Sequence, residues 1–261
     1  MTLDGLQPTI LLPAFAAGLL VLASHVPLGR EVLSRGIIFI DLAIAQIAGL
    51  GIVIASTLGF EVNGWRSQVS AVLAALAGAL CLRWMEKKSP DHLEAVIGVS
   101  FVAAACAAIL LMSHDPHAGE HLQELLVGQI LWTTWAGLLP LALVTAGVLA
   151  GWFGCNLKAS PLGFYLLFAL TITASVQVVG VYLVFASLIV PALAARQLWR
   201  AYAVGVTGYG LGLLASGLFD LPAGAAIVLA LVLMGVMTAK GTVAKRQADA
   251  SGRSKPGSSR P

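Results

Sequence analysis

Residues 164–190 read FYLLFALTITASVQVVGVYLVFASLIV, 27 positions without a charge. At 1.5 Å per residue one helix of that length would reach about 40 Å. That exceeds the roughly 30 Å of a bilayer's hydrocarbon core, yet two full crossings need about 40 residues. Lys158 and Arg196 bracket the run, and both belong on the same, positively charged side. The stretch therefore predicts a full span, a break near Gly180 and a short return segment. Broken backbone at membrane depth is tolerated only where protein or a water-filled cavity surrounds it, so Gln177 and Gly180 are expected beside a pathway.

The rest of the chain agrees. Of its 261 residues, 59% are hydrophobic and only 10% are charged, against about a quarter charged in soluble domains. Apolar blocks fall at about 9–24, 37–56, 68–84, 94–112, 125–153, 162–190, 202–218 and 222–238. The alternating segments of about 10 residues that build a membrane β-barrel are absent. The expected fold is an all-α polytopic membrane protein of about eight transmembrane helices plus the short return segment. The 28 glycines suit close helix packing in lipid. Cys81, Cys106 and Cys155 are isolated, which argues against a disulfide framework or a thiolate metal site. The first block lacks a basic start, so it does not read as a signal peptide.

Arg30 and Arg35, then Arg83, Lys87 and Lys88, then Lys158, then Arg196 and Arg200, then the tail, place fourteen of the fifteen basic residues on one side. Only Arg66 falls opposite. That side is expected to be cytoplasmic, with the N-terminus outside and the C-terminus inside. Residues 1–240 form the transmembrane domain. Residues 241–261, rich in Ser, Gly, Lys and Arg, read as a disordered basic cytoplasmic tail that anionic inner-leaflet lipid would attract.

Few polar residues are placed where chemistry is expected. Residues 114–121, HDPHAGEH, hold three of the five histidines in an outer connection. Pro116 is placed to start a helix. On it His117, Glu120 and His121 would share a face at i, i+3, i+4 spacing, with His114 beside them. Imidazole with carboxylate suits zinc, and imidazole also suits iron, copper or nickel. The cluster reads either as a collecting site for a cation or as a solvated loop. Asp41 is the clear intramembrane carboxylate, with Gln46 near it, and such groups are costly enough to be functional candidates. Its alternative role is to reach the headgroups or bond a neighbouring helix. Glu94 begins the fourth span, where the helix dipole favours a carboxylate; a cytoplasmic exit site is the alternative. No Walker A pattern, no HExxH and no Ser/His/Asp arrangement occurs, so neither nucleotide hydrolysis by this chain nor another catalytic activity is expected.

Two segments carry a family resemblance. Residues 171–200 hold Gln177 and Gly180, then Leu188, Ile189, Pro191 and Ala192, then Ala195 and Arg196. Residues 217–231 hold Asp220, Leu221, Pro222, Ala223 and Gly224 before the final span. Both resemble signatures of the zinc/manganese ABC permease family, the membrane subunit of metal importers, over roughly residues 25–238. Residues 35–51 match more weakly. Asp41 stands at the family's aspartate, but Ala45 replaces its histidine and Gly49 its proline.

The resemblance implies a type II ABC importer permease architecture, a homodimer, two cytoplasmic ABC ATPase subunits and an extracytoplasmic metal-binding protein. It implies that Pro191, Ala192, Ala195, Arg196 and Arg200 form a coupling helix for the ATPase, with Pro191 closing the return segment. The cargo would be a divalent transition metal, zinc first and manganese or iron next, with no permanent cofactor and no nucleic acid. A metal-chelate permease and a stand-alone secondary cation transporter are the other readings. The latter would need several mid-span carboxylates or broken helices in matching halves.

Overall fold

A computed structural model of the chain describes residues 7–62, 64–113 and 126–253, the side chains of Lys158 and residues 240–253 excepted. The described residues are built from helices: α1 (Pro8–Arg35), α2 (Ile40–Thr57), α3 (Trp65–Lys88), α4 (Leu93–Leu111), α5 (Leu138–Leu149), α6 (Pro161–Val179), α7 (Val181–Ala194), α8 (Leu198–Phe219) and α9 (Ala223–Arg253). Six of them, α1 to α4, α6 and α8, are long and apolar enough to cross a membrane. Residues 138–154, α7 and residues 223–239 are shorter apolar helices.

Local sequence sets the ends. Pro8 and Pro161 occupy the first turns of α1 and α6, where a missing amide costs nothing. The Ser160 hydroxyl accepts the Gly163 amide and caps α6. Within α6 and α7 the Thr171, Ser175 and Ser187 hydroxyls donate to carbonyls one turn back, which satisfies them without water.

α2 packs on α3 and α4, α8 on α9, and α7 on α1 and α9. Burial separates an inner from an outer set: 61% of the apolar window of α2 and 67% of that of α6 are buried, against 22% for α3 and α4. The inner helices are where a polar group meets protein, so the site is sought there.

Two rims of tryptophan mark the ends. Trp65, Trp132 and Trp135 are exposed at one end and Trp84 and Trp199 at the other, as amphipathic rings sit at headgroup level. The second end also carries Arg30, Arg35, Arg83, Arg196 and Arg200 and is called the basic end. There Arg35 pairs with Glu31 at 2.9 Å and lies 4.2 Å over the Phe164 ring. Arg83 pairs with Glu86, and the Arg30 guanidinium donates to the Arg196 carbonyl at 2.6 Å.

The break at Gly180 is present. Its backbone has φ 79° and ψ 163°, a region essentially reserved for glycine. α7 then returns from it to the basic end. Several sequence expectations are corrected. Arg30, Arg35, Lys87 and Lys88 fall past the ends of the apolar blocks at 9–24 and 68–84 yet still lie on α1 and α3, because long basic side chains let a helix run past the apolar core. Residues 125–153 are not one helix. A left-handed Gly128 and the non-helical residues 133–137 interrupt them before α5. Pro191 does not close the return segment: α7 runs through it to Ala194, since neighbouring helices cover the freed carbonyl. The expected coupling helix is instead the end of α7, an extended Ala195, a bend at Arg196 and Gln197, and the start of α8. The backbone of α9 is helical to Arg253, over a stretch rich in good helix formers; residues 254–261 lie outside the described residues.

One buried contact joins α7 to α8. The Tyr209 and Ser187 hydroxyls lie 2.8 Å apart, both fully buried. Tyr209→Phe is expected to cost about 1 kcal/mol, read as a lower melting temperature of the detergent-solubilised protein.

Candidate functional site

The inner faces of α2 and α6 meet at the Gly180 break. Ala45, Gln46, Ala48, Gly49, Ile52, Val176, Gln177 and Val181 enclose a cleft of about 10 Å³ there, scarcely room for one water. The structure thus brings Gln46 and Gln177 together across the cleft. It also places both replaced positions, Ala45 and Gly49, on the same wall.

The cleft adjoins a chamber of about 620 Å³ through Ile52, Val176 and Gln177. This chamber lies toward the end opposite the basic one. The last turns of α2, the first half of α3, the start of α5 and the second half of α6 line it. Among the described residues its polar lining is Ser56, Gln68, Gln129, Thr173 and Gln177, none of them ionisable. Thr173 is fully buried, and its hydroxyl has no hydrogen-bond partner among the described residues.

Asp41 lies one helical turn from Ala45 on α2, about 6 Å nearer the basic end. It is 1% exposed, and neither carboxyl oxygen has a hydrogen-bond partner among the described residues. The first-turn position sets it at the favourable end of the α2 dipole. Glu94 likewise opens α4, half-buried, with one carboxyl oxygen unpartnered among the described residues. It does not line the chamber or the cleft.

Pro191 and Ala195 are buried, Arg196 is exposed, and Arg200 lies half-buried over the Trp199 ring at 5.3 Å. All four stand at the basic end, as does Ala192. α1 presses on this corner so closely that a Cβ on Gly29 would overlap the Leu188 carbonyl. His114, His117, Glu120 and His121 lie outside the described residues. Among the described residues no three His, Cys, Asp or Glu side chains gather as a metal site would require.

Sequence reasoning missed Ser56, Gln68, Gln129 and Thr173 of the chamber wall. It also missed His25, fully buried on α1. The His25 Nδ1–H donates to the Val21 carbonyl at 2.8 Å, which leaves Nε2 as a buried lone pair without a partner among the described residues. An apolar span interrupted by one histidine was the available signal.

Known proteins are similar to this chain in sequence and in fold. The model of a family described as "ABC 3 transport family" matches residues 7–153 and 141–240. A "probable iron transport system membrane protein" of Haemophilus influenzae is 27% identical over 72% of this chain and 77% of its own length. The "manganese transport system membrane protein MntC" of Halalkalibacterium halodurans is 28% identical over 77% of each chain. The "high-affinity zinc uptake system membrane protein ZnuB" of Haemophilus influenzae is 22% identical over 88% of this chain and 96% of its own. A chain of PsaBC from Streptococcus pneumoniae, solved in complex with Fab, superposes with a TM-score of 0.68 over 90% of this chain and 93% of that one, at 22% identity. That likeness confirms the helical fold. Since the family model spans nearly all of the apolar sequence, the chain belongs to the ABC 3 transport family.

Proposed function

We propose that the chain is the membrane permease subunit of an ATP-driven importer for a divalent transition metal ion. The observation that carries this reading is the polar chamber set against the Gly180 break, inside the inner helices of a fold whose relatives are named for iron, manganese and zinc transport. Broken helices beside a polar cavity are where transporters hold their cargo. Among the three metals zinc stands first and manganese or iron next, since the imidazoles and carboxylate of residues 114–121 suit zinc.

The basic end faces the cytoplasm under the positive-inside rule, with the N-terminus outside. Residues 191–200 meet an ABC ATPase there. Arg196, exposed at the bend, offers a planar fork to carboxylates of that partner. An extracytoplasmic binding protein delivers the ion at the opposite end, where residues 114–121 form a collecting site. Two copies of the chain frame the pathway. The chamber, the Gln46–Gln177 cleft and Asp41 then lie in that order along the route inward, and Glu94 stands near its exit.

Total cellular metal measured by mass spectrometry tests this, in cells stripped of their own manganese and zinc importers and supplied with this permease, its ATPase and its binding protein. A selective rise in manganese or zinc is expected over an ATPase-dead control. Arg196→Glu is expected to lower that uptake about tenfold while the ATPase still hydrolyses ATP. Unchanged coupled uptake in Arg196→Glu would remove the docking role. No metal gain with the whole complex in the membrane would overturn the import reading.

A further inference from the structure

We propose that Arg30 and Tyr202 are positioning residues for ATP-driven coupling. They join the last turns of α1 to the docking elbow, residues 191–200, so that both move as one body about a hinge at residues 21–27. This rests on the docking role given to the elbow in the import reading above. Two sets of contacts carry it.

The first set is the hinge. α1 runs through Pro27, which has no amide to bond the carbonyl one turn back, that of Ala23. The Tyr202 hydroxyl, from the second turn of α8, donates to that carbonyl instead, at 3.0 Å. The turn before it is disturbed as well. The Val21 carbonyl accepts the Ser24 hydroxyl at 3.2 Å and the His25 Nδ1–H at 2.8 Å, and side chains that enter the helical ladder bend it. Residues 21–27 are therefore the weak point of a 28-residue helix, and the donor that mends it comes from α8. The buried His25 belongs to this hinge.

The second set is the grip. Beyond Pro27, the Arg30 guanidinium donates to the Arg196 carbonyl at 2.6 Å, at the bend between α7 and α8. Gly29 packs so closely on α7 that a Cβ there would overlap the Leu188 carbonyl and stand 3.3 Å from the Ala192 Cβ. Residues 29 and 30 thus hold α7 and the bend, and Tyr202 ties in α8. Arg196 is held by its main chain while its side chain is exposed. The bond does not depend on which side chain stands at position 196, so grip and docking are separable. The same segment ends on α6, where Arg35 lies over the Phe164 ring, and α6 carries Thr173 and Gln177 of the chamber wall. The end of α1 thereby connects the elbow to the chamber.

The test uses the permease–ATPase complex in liposomes with ATP enclosed, supplied with its binding protein loaded with zinc(II) or, in parallel, manganese(II). The readout is metal imported per ATP hydrolysed. In Arg30→Gln that ratio is expected to fall about tenfold while the ATPase stays bound and active. It should recover in Arg30→Lys, whose ammonium still donates to a carbonyl. An Arg30→Gln complex with the parent ratio overturns the inference. So does one that sheds its ATPase, since the bond would then only shape the docking site. Thermal melts read the hinge separately. Tyr202→Phe is expected to lower the melting temperature of the parent but not of Pro27→Ala, in which a restored amide bonds Ala23. Equal losses in both backgrounds overturn the hinge. A parent complex that imports neither ion overturns the import reading itself, whereas normal import by the parent and by Arg30→Gln alike overturns this inference alone.

Discussion

Gly180→Ala is expected to destabilise the protein by about 4 kcal/mol, lowering the melting temperature on the order of 10 °C. Two costs add. At φ 79° and ψ 163° a side chain pays about 1–3 kcal/mol of backbone strain. The new Cβ would also stand 2.4 Å from the Gly128 nitrogen and 2.5 Å from the Val127 carbonyl carbon, and overpacking typically costs about 1–3 kcal/mol more. Gly128 mirrors this: its φ is 71°, and a Cβ there would lie 2.3 Å from the Val179 carbonyl carbon. The two glycines occupy one contact, so Gly128→Ala with Gly180→Ala should cost well below the sum of the singles. Thermal melts of the two single variants and the double variant read this out. Additive losses, or a Gly180→Ala loss under about 1 kcal/mol, would mean that the backbones do not meet there.

Asp41→Asn is expected to do the opposite to stability. The variant replaces a carboxyl that is buried without a hydrogen-bond partner among the described residues by an amide of the same shape that carries no ionisation cost, so it should melt higher, by up to about 1–2 kcal/mol of unfolding free energy. Uptake by the same variant should fall about tenfold or more, because an ionisable group kept at such a cost inside a span serves the pathway. The pair of readouts decides the case. A variant that melts lower has lost a structural partner. A variant that melts higher and transports normally leaves the carboxylate without a transport role.

The large-scale reading was legible because bilayer chemistry is harsh. A run of 27 apolar residues between two basic ones admits few solutions, and the break at Gly180 was among them. The helix ends at Arg35 and Lys88 were hidden because charge stops an apolar block but not a helix. The passage of α7 through Pro191 was hidden because proline's cost depends on what covers the freed carbonyl, which only packing decides. Within the site, Gln46, Gln177 and Asp41 stood out as polar residues in apolar blocks. Ser56, Gln68, Gln129 and Thr173 did not. Each lies in a different part of the chain, and only the tertiary fold gathers them into one wall. The described residues end short of residues 114–125, so the histidine loop keeps the two meanings that its sequence allows.

The shortness of α7 also bears on how the chain is made. Fourteen residues reach about 21 Å, too little to stand alone across a membrane of roughly 30 Å. The translocon would therefore release α7 as one arm of a hairpin with α6, with the Gly180 bend already folded. That arm packs chiefly on α1, made long before it, and on α9, made last. Assembly of the inner helices thus waits for the final span to emerge from the ribosome. Until then the permease's own centre is its least protected part, and the stretch that quality-control proteases meet first.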